Sequence, residues 1–174
     1  RHADAFRIKF FDNKVTILSG GYSNTVTAQN STNGFYDYSS LTWTNYESGK
    51  DFTLMTDFVS AASNTITNLT YYASFGSGLL VKTGNDFMVL DQNNSLLDTA
   101  TGGKVFIPDI KVADDGNMWL TNYSPNSSDF SKSLYKIDTE GNWTGYSTSK
   151  SSGPSALEFV IDQNQVKWLQ VRET

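Results

Sequence analysis

Cysteine is absent from this chain of 174 residues, so it can build no disulfide framework, no thiol nucleophile and no cysteine-ligated metal site. Histidine is nearly absent: His2 stands alone near the start, which excludes a histidine-dependent triad or a multi-histidine metal site within one copy of the chain. Positive charge is sparse too. The 13 basic residues are scattered against 18 acids, the net charge is −5, and nucleic acid is not an expected partner. No apolar run approaches the roughly 20 residues of a membrane-spanning helix. There are only three prolines, and no long stretch shows the 3.6-residue periodicity of an amphipathic helix. The chain begins at Arg1 rather than methionine, as expected of a processed product or a piece of a longer chain.

What is present has a consistent character. Aromatic residues make up 14% of the chain and charged residues only 18%, while Ser, Thr and Asn together supply about a third. That balance is typical of exported β-proteins with aromatic cores and uncharged polar surfaces. Short segments rich in β-branched and aromatic residues follow one another, punctuated by Gly, Asn, Asp and Ser: "FRIKFF", "KVTILSG", "GFYDYS", "LTWTNY", then "TDFVSA", "ITNLTYYASF", "GLLVKT", "DFMVLD". The series continues through "IPDIKVA", "NMWLTNY", "SLYKID" and "GNWTGY" to "LEFVID" and "VKWLQV". The fold class is therefore all-β, and the strands come in fours.

The grouping is a repeat. Trp43 and Trp143 stand 100 residues apart, and Trp119 and Trp168 stand 49 apart, so one unit of about 50 residues explains both intervals. Four short antiparallel strands per unit is the pattern of a β-propeller blade, in which each sheet buries both faces against its neighbours. The units fall at about 5–50, 51–100 and 101–150, with a half blade over 151–174, giving a partial propeller of about three and a half blades. On this reading Trp43, Trp143, Trp119 and Trp168 fill the gaps between blades.

"DDGNMWLTNY", Asp114 to Tyr123, is the densest local motif. Asp114, Asp115, Gly116 and Asn117 lie between two strand-like runs, where Gly116 and Asn117 are expected to supply the positive-φ conformations of a tight hairpin. Acids recur before the second strand of a unit at Asp12, Asp114 and Asp162; the second unit has Asn64 and no acid or glycine. A calcium loop needs alternating oxygen ligands and a distal glutamate, and no Glu follows Asp114 at that distance. Asp114, Gly116 and Trp119 also stand at the D-x-G-x-x-W spacing of the sialidase Asp-box, with Val112 where that box has Ser or Thr. With only Arg1, Arg7 and Arg172 available, a sialidase's arginine set cannot be assembled.

The segments "NKVTILSGGY", "GFYDYSSLTWTNY", "YYASFGSGLLVKTGNDF", "VADDGNMWLTNY", "SLYKIDTEGNWTGYST" and "EFVIDQNQVKWLQ" together resemble the propeller of PorZ-type proteins, surface components of the bacterial type IX secretion system. Asp114 to Trp119 also resemble the broader two-component regulator propeller repeats. The resemblance implies a seven-bladed parent ring acting as a non-catalytic recognition or assembly module, without a cofactor, on an exported protein of the cell surface or periplasm. The implied partners are proteins of the secretion or signalling machinery, and lipopolysaccharide or another glycan. The alternative functions are a periplasmic ligand-sensing propeller of a hybrid two-component regulator and a carbohydrate-binding propeller.

A partial ring has open blade faces, so a homo-oligomer through those faces is expected. Binding on such scaffolds concentrates in loops. The candidates are "TAQNSTNG", with Asn30 and Asn33, and "SPNSSDFSKS", with Asn126 and Asp129. "SFGSGL", Ser74 to Leu79, lacks the helix and lysine of a nucleotide loop and reads as a connection between two strands. The 18 acids give no sign of a carboxylate pair held across a cleft, so no catalytic residue is assigned.

Overall fold

A computed structural model describes residues 5–126, 129, 132–147 and 156–171, and among these it contains 15 strands and no helix. The first sheet is a meander of β1 (Ala5–Phe11), β2 (Lys14–Ser19), β3 (Phe35–Ser39) and β4 (Thr42–Tyr46). The second follows the same path through β5 (Phe58–Asn64), β6 (Leu69–Gly76), β7 (Gly78–Thr83) and β8 (Asp86–Leu90). A short strand, β9 (Val105–Phe106), pairs with the far end of β6. The third sheet comprises β10 (Ile110–Val112), β11 (Met118–Thr121), β12 (Leu134–Ile137) and β13 (Trp143–Tyr146). The last is a hairpin of β14 (Ala156–Ile161) and β15 (Lys167–Val171).

Strand alternation gives each sheet two faces, and sequence decides what each face meets. Leu18 and Phe35 on the first sheet pack on Phe58, Ala61, Tyr72 and Leu80 of the second. Phe35 stacks on Tyr72 with ring centroids 3.9 Å apart and on Tyr46 at 4.8 Å. The opposite face of the second sheet, through Tyr71, Ala73 and Val81, meets Ile110, Met118, Leu120 and Tyr135 of the third. Trp119 and Leu134 on the far side of the third sheet meet Phe159 of the last. Each fully buried Leu, Phe or Met stabilises by about 1.5–3 kcal/mol, so these three layers dominate the energetics. The first strands lie side by side, β1 against β5 and β5 against β10, while β14 lies against β11.

Three of the turns share one geometry. In the β10–β11 hairpin Ala113 N donates to Asn117 O at 2.9 Å and Gly116 N donates to Ala113 O at 2.9 Å. The β12–β13 and β14–β15 turns repeat the pattern through Asp138, Gly141 and Asn142, and through Asp162, Gln165 and Val166. This is a type I turn closed by one left-handed residue: Gly116 at φ 80°, Gly141 at 89° and Gln165 at 62°. Two sequence expectations are thereby corrected. Asn117 does not adopt positive φ; its amide instead donates to Asp115 Oδ2 at 2.6 Å. Asp162 is in register with Ala113 rather than Asp114, and Asp12 lies in a two-residue turn with Asn13, both at positive φ (50° and 55°).

The tryptophans divide. Trp119 is 9% exposed, stacks on Tyr146, and has Lys167 Nζ 4.2 Å from its ring centre, all between the third and last sheets. Trp143 is partly buried and meets Tyr135 edge-on at 6.3 Å. Trp43 and Trp168 differ from the expectation of gap-filling: they are 51% and 62% exposed, because their faces of the first and last sheets have no sheet against them. Trp168 Nε1 donates to Asp162 Oδ2 at 2.9 Å, whereas Trp119 Nε1, with Ala113 in place of that acid, has no partner.

Candidate recognition surface

In a four-stranded meander the β1–β2 and β3–β4 type turns lie at one end of the sheet, and the β2–β3 type loops lie at the other with the sheet-to-sheet connections. The long segments 20–34, 47–57 and 91–104, with the described residues 122–126, 129, 132 and 133, therefore gather at one end of the molecule. The corresponding loop of the second sheet is the tight Gly76–Ser77–Gly78 turn, so "SFGSGL" joins β6 to β7. The longer loops of the first and third sheets stand on either side of it.

Asp57, immediately before β5, organises the first of these loops. Its side chain is fully buried and accepts three backbone N–H groups: Gly21 at 3.1 Å and Ser31 at 2.9 Å on Oδ1, and Asn30 at 2.6 Å on Oδ2. Nothing in the sequence marked Asp57 apart from the other acids; its signal is only its place before a strand. Asn30, exposed and at φ 58°, receives Lys104 Nζ on its side-chain oxygen, which ties the loop to the β8–β9 connection. Asn33 is half-buried in the same loop.

Asp129 plays a similar part for the described residues of the β11–β12 loop. It accepts hydrogen bonds from Ser124, from Thr101 N at 2.8 Å and Oγ1 at 2.7 Å, and from the exposed Asn126 at 3.0 Å. The Ser124 and Thr101 hydroxyls hold its carboxyl below the ordinary aspartate value. Tyr135 donates to Asp98 Oδ2 at 2.7 Å; burial and then Asp98 hold the Tyr135 phenol above its ordinary value. Residues 127, 128, 130 and 131 of this loop, and His2 with both chain ends, lie outside the described residues. Asp57 thus ties Gly21, Asn30 and Ser31 together, and Asp129 ties Thr101, Ser124 and Asn126.

Two further features lie elsewhere. A groove of about 710 Å³ opens between the second and third sheets, lined by Ile66 and Thr139 of the β5–β6 and β12–β13 turns, by Tyr71, Met88 and Trp143, and by Asn94 of the β8–β9 connection. Where the first strands meet, Asp109 is 1% exposed and receives Lys111 Nζ at 2.7 Å, Ser60 Oγ at 2.8 Å and Arg7 Nη1 at 3.5 Å. Arg7 also pairs with Glu158, so the network draws on all four sheets. A buried carboxylate so compensated acts as a structural tie. Burial there also lowers the Lys9 ammonium below its ordinary value, with Asp109 and Glu158 opposing the shift. Asp114, also assigned from the sequence, accepts Gln165 Nε2 at 3.1 Å, and Asn64 Nδ2 donates to Gly116 O at 2.7 Å, so the turns of three successive sheets are linked. Among the described residues, no three His, Asp or Glu side chains converge to hold a metal ion.

No family model and no curated protein matches the chain. Solved structures do match. PorZ, an essential bacterial surface component of the type IX secretion system of Porphyromonas gingivalis, superposes with a TM-score of 0.80 at 17% identity, over 95% of this chain and 23% of that one. The extracellular domain of a hybrid two-component system from B. thetaiotaomicron superposes with a TM-score of 0.60 at 14% identity, over 97% of this chain and 26% of that one. The chain therefore spans about a quarter of the length of each, and at these identities the likeness speaks for the fold. The fold is a β-propeller, here three four-stranded blades and a two-stranded hairpin.

Proposed function

We propose that this chain is a non-catalytic recognition and assembly module of an exported protein, working at the cell surface with the type IX secretion machinery. The observation that carries the reading is the end of the sheets where Asp57 holds Gly21, Asn30 and Ser31 and Asp129 holds Thr101, Ser124 and Asn126, a polar surface tied by side-chain to backbone bonds. Such a surface binds by shape and hydrogen bonding, and its rigidity lowers the entropy lost on association. The TM-score of 0.80 to PorZ supports the secretion-associated setting. Its partners are proteins of that machinery, with lipopolysaccharide or another glycan as a second class of ligand. The 0.60 likeness to a two-component extracellular domain supports a second reading, a periplasmic sensing propeller.

Protease accessibility in the native host, detected with an antibody to this chain, tests the proposal. Digestion on intact cells is the expected result. Protection until the outer membrane is opened would overturn the surface role and favour the sensor.

A further inference from the structure

The junctions between successive sheets are not equally filled. Propeller blades stand radially around a central channel, so neighbouring sheets diverge toward their last strands and only large side chains close the gap. Between the first and second sheets it is closed. Tyr46 of β4, Phe87 of β8 and Phe52 of the connecting segment meet there, with ring centroids 5.8 Å apart for Tyr46 and Phe87 and 5.3 Å for Phe52 and Phe87. Between the second and third sheets the same space is the groove of about 710 Å³, a size typical of ligand sites. Its walls are apolar, with Leu69, Tyr71, Met88 and Leu90 on the second sheet and Ile137 and Trp143 on the third. The connecting segment adds Asn94 to this lining and no aromatic, and Ile66 and Met88 are left 60% and 54% exposed.

Both walls are complete four-stranded sheets, already packed on each other through Ala73, Ile110, Met118 and Leu120. A further blade of a longer chain would stand against the first sheet or the last hairpin and leave this groove as it is. The bond from Asn64 Nδ2 to Gly116 O, 2.7 Å, holds the two sheets together at their turns, so the groove is preformed. Charge in its lining has one sign: Asp138 and Glu140 are present, and no lysine, arginine or histidine. Asp138 accepts the backbone amides of Glu140 and Asn142, whereas the exposed Glu140 keeps most of its carboxylate for an incoming group. Lys136 lies near Asp138, but on the face of β12 that Trp119 shares, away from the groove. Strand β8 is the last of its sheet, so one of its backbone edges has no neighbouring strand. Neither ring of the lining lies open as a platform for a sugar, since Tyr71 is buried and Trp143 partly so.

We propose that the groove between the second and third sheets binds an extended segment of a partner protein in which apolar side chains are flanked by lysine or arginine. The segment lies along β8, its apolar side chains fill the space between Met88, Leu90 and Trp143, and its cation meets Glu140. Pairing of an extended peptide with a strand edge supplies affinity, and the pockets beside that edge select its side chains. The class of partner rests on the recognition role proposed above; the site is separate from the loop end described there.

Selection of a phage-displayed library of random linear peptides on the purified protein tests this, with the enriched peptides synthesised and titrated by fluorescence anisotropy. The variants are Met88→Asn and Glu140→Lys, both at exposed positions, so the fold is kept, which far-ultraviolet circular dichroism verifies. Enriched peptides are expected to combine Leu, Ile, Phe or Met with Lys or Arg. Met88→Asn is expected to weaken their binding about tenfold and Glu140→Lys about threefold, the latter effect fading in high salt. Leu41→Asn, which removes an exposed apolar side chain from the β3–β4 turn of the first sheet, is expected to leave binding unchanged. Failure to enrich any peptide that binds overturns the proposal, as does enrichment of acidic sequences or binding that Met88→Asn and Glu140→Lys both leave intact. Nuclear magnetic resonance signals of Met88 and Trp143 that shift with maltohexaose and not with the peptides would overturn it in favour of a glycan. Failure here leaves the surface role standing, because the protease test reads where the protein sits and not what the groove holds.

Discussion

Replacing Asp57 by Asn isolates what one carboxylate does for the loop that it holds. The side chain is fully buried and its two oxygens accept from Gly21, Asn30 and Ser31. An amide can keep an oxygen where Oδ1 now serves Gly21 and Ser31, but it then points an N–H₂ group at the Asn30 N–H, setting donor against donor. One bond to a charged acceptor is lost, at about 1.5–3 kcal/mol, and the two that remain fall from charge-assisted to neutral strength. The expected loss is about 3 kcal/mol, which for a chain of this size lowers Tm by about 6–12 °C. Asn tolerates the positive φ of 51° at this position, so backbone strain does not contribute. Thermal unfolding followed by circular dichroism measures the loss, and hydrogen exchange at Gly21, Asn30 and Ser31 locates it. A Tm within about 1 °C of wild type, with exchange at those amides unchanged, would refute the claim that Asp57 anchors the loop.

Gly116→Ala is expected to destabilise more than Gly141→Ala. Both positions have positive φ, but a Cβ at Gly116 would lie 2.8 Å from Ile66 Cδ1 and 2.9 Å from Thr139 Cγ2, whereas at Gly141 it would meet nothing within 4 Å. The conformational penalty of about 1–2 kcal/mol is common to both, and equal denaturant midpoints would show that the turns do not pack tightly. Asp109→Asn removes the partner of Arg7 and Lys111 at a buried site and should cost about 3 kcal/mol, read from urea unfolding; a loss below about 1 kcal/mol would mean that the network is solvated. Burial holds the Tyr72 and Tyr135 phenols above their ordinary value, so the folded chain retains protons that the unfolded chain releases above about pH 10. Stability should therefore be intact below that pH and fall as pH rises past it, and a flat alkaline profile in denaturant midpoints would contradict the burial.

The strand order and the sheets were legible because aromatic and β-branched residues alternate at period two between turn residues, and because tryptophans recur at the repeat interval. The Asp114–Asn117 turn was legible from its Asp, Gly and Asn residues, with Gly116 in the left-handed role expected and Asn117 not. What the sequence could not carry was relation between distant positions. Asp57 and Asp109 look like any acid before a strand, and only folding brings Asp57 to backbone groups 26 to 36 residues away and Asp109 to an arginine 102 away. Trp43 and Trp143 read alike, and what separates them is whether another sheet lies against them. The register of Asp162 with Ala113 was hidden because Gln165 takes a left-handed conformation usually left to glycine, which removed the expected marker.

The tie between Arg7 and Glu158 bears on the order in which the chain folds. Most of the sheet-on-sheet packing joins sheets that follow one another in the chain, so each can settle on its predecessor while later residues are still leaving the ribosome. Arg7 and Glu158 are 151 positions apart, and closing so long a loop carries an entropy cost that local hairpins do not face. The Arg7–Glu158 contact therefore forms only after the last hairpin has been made, and replacing Glu158 leaves Arg7 with Asp109 as its remaining carboxylate partner.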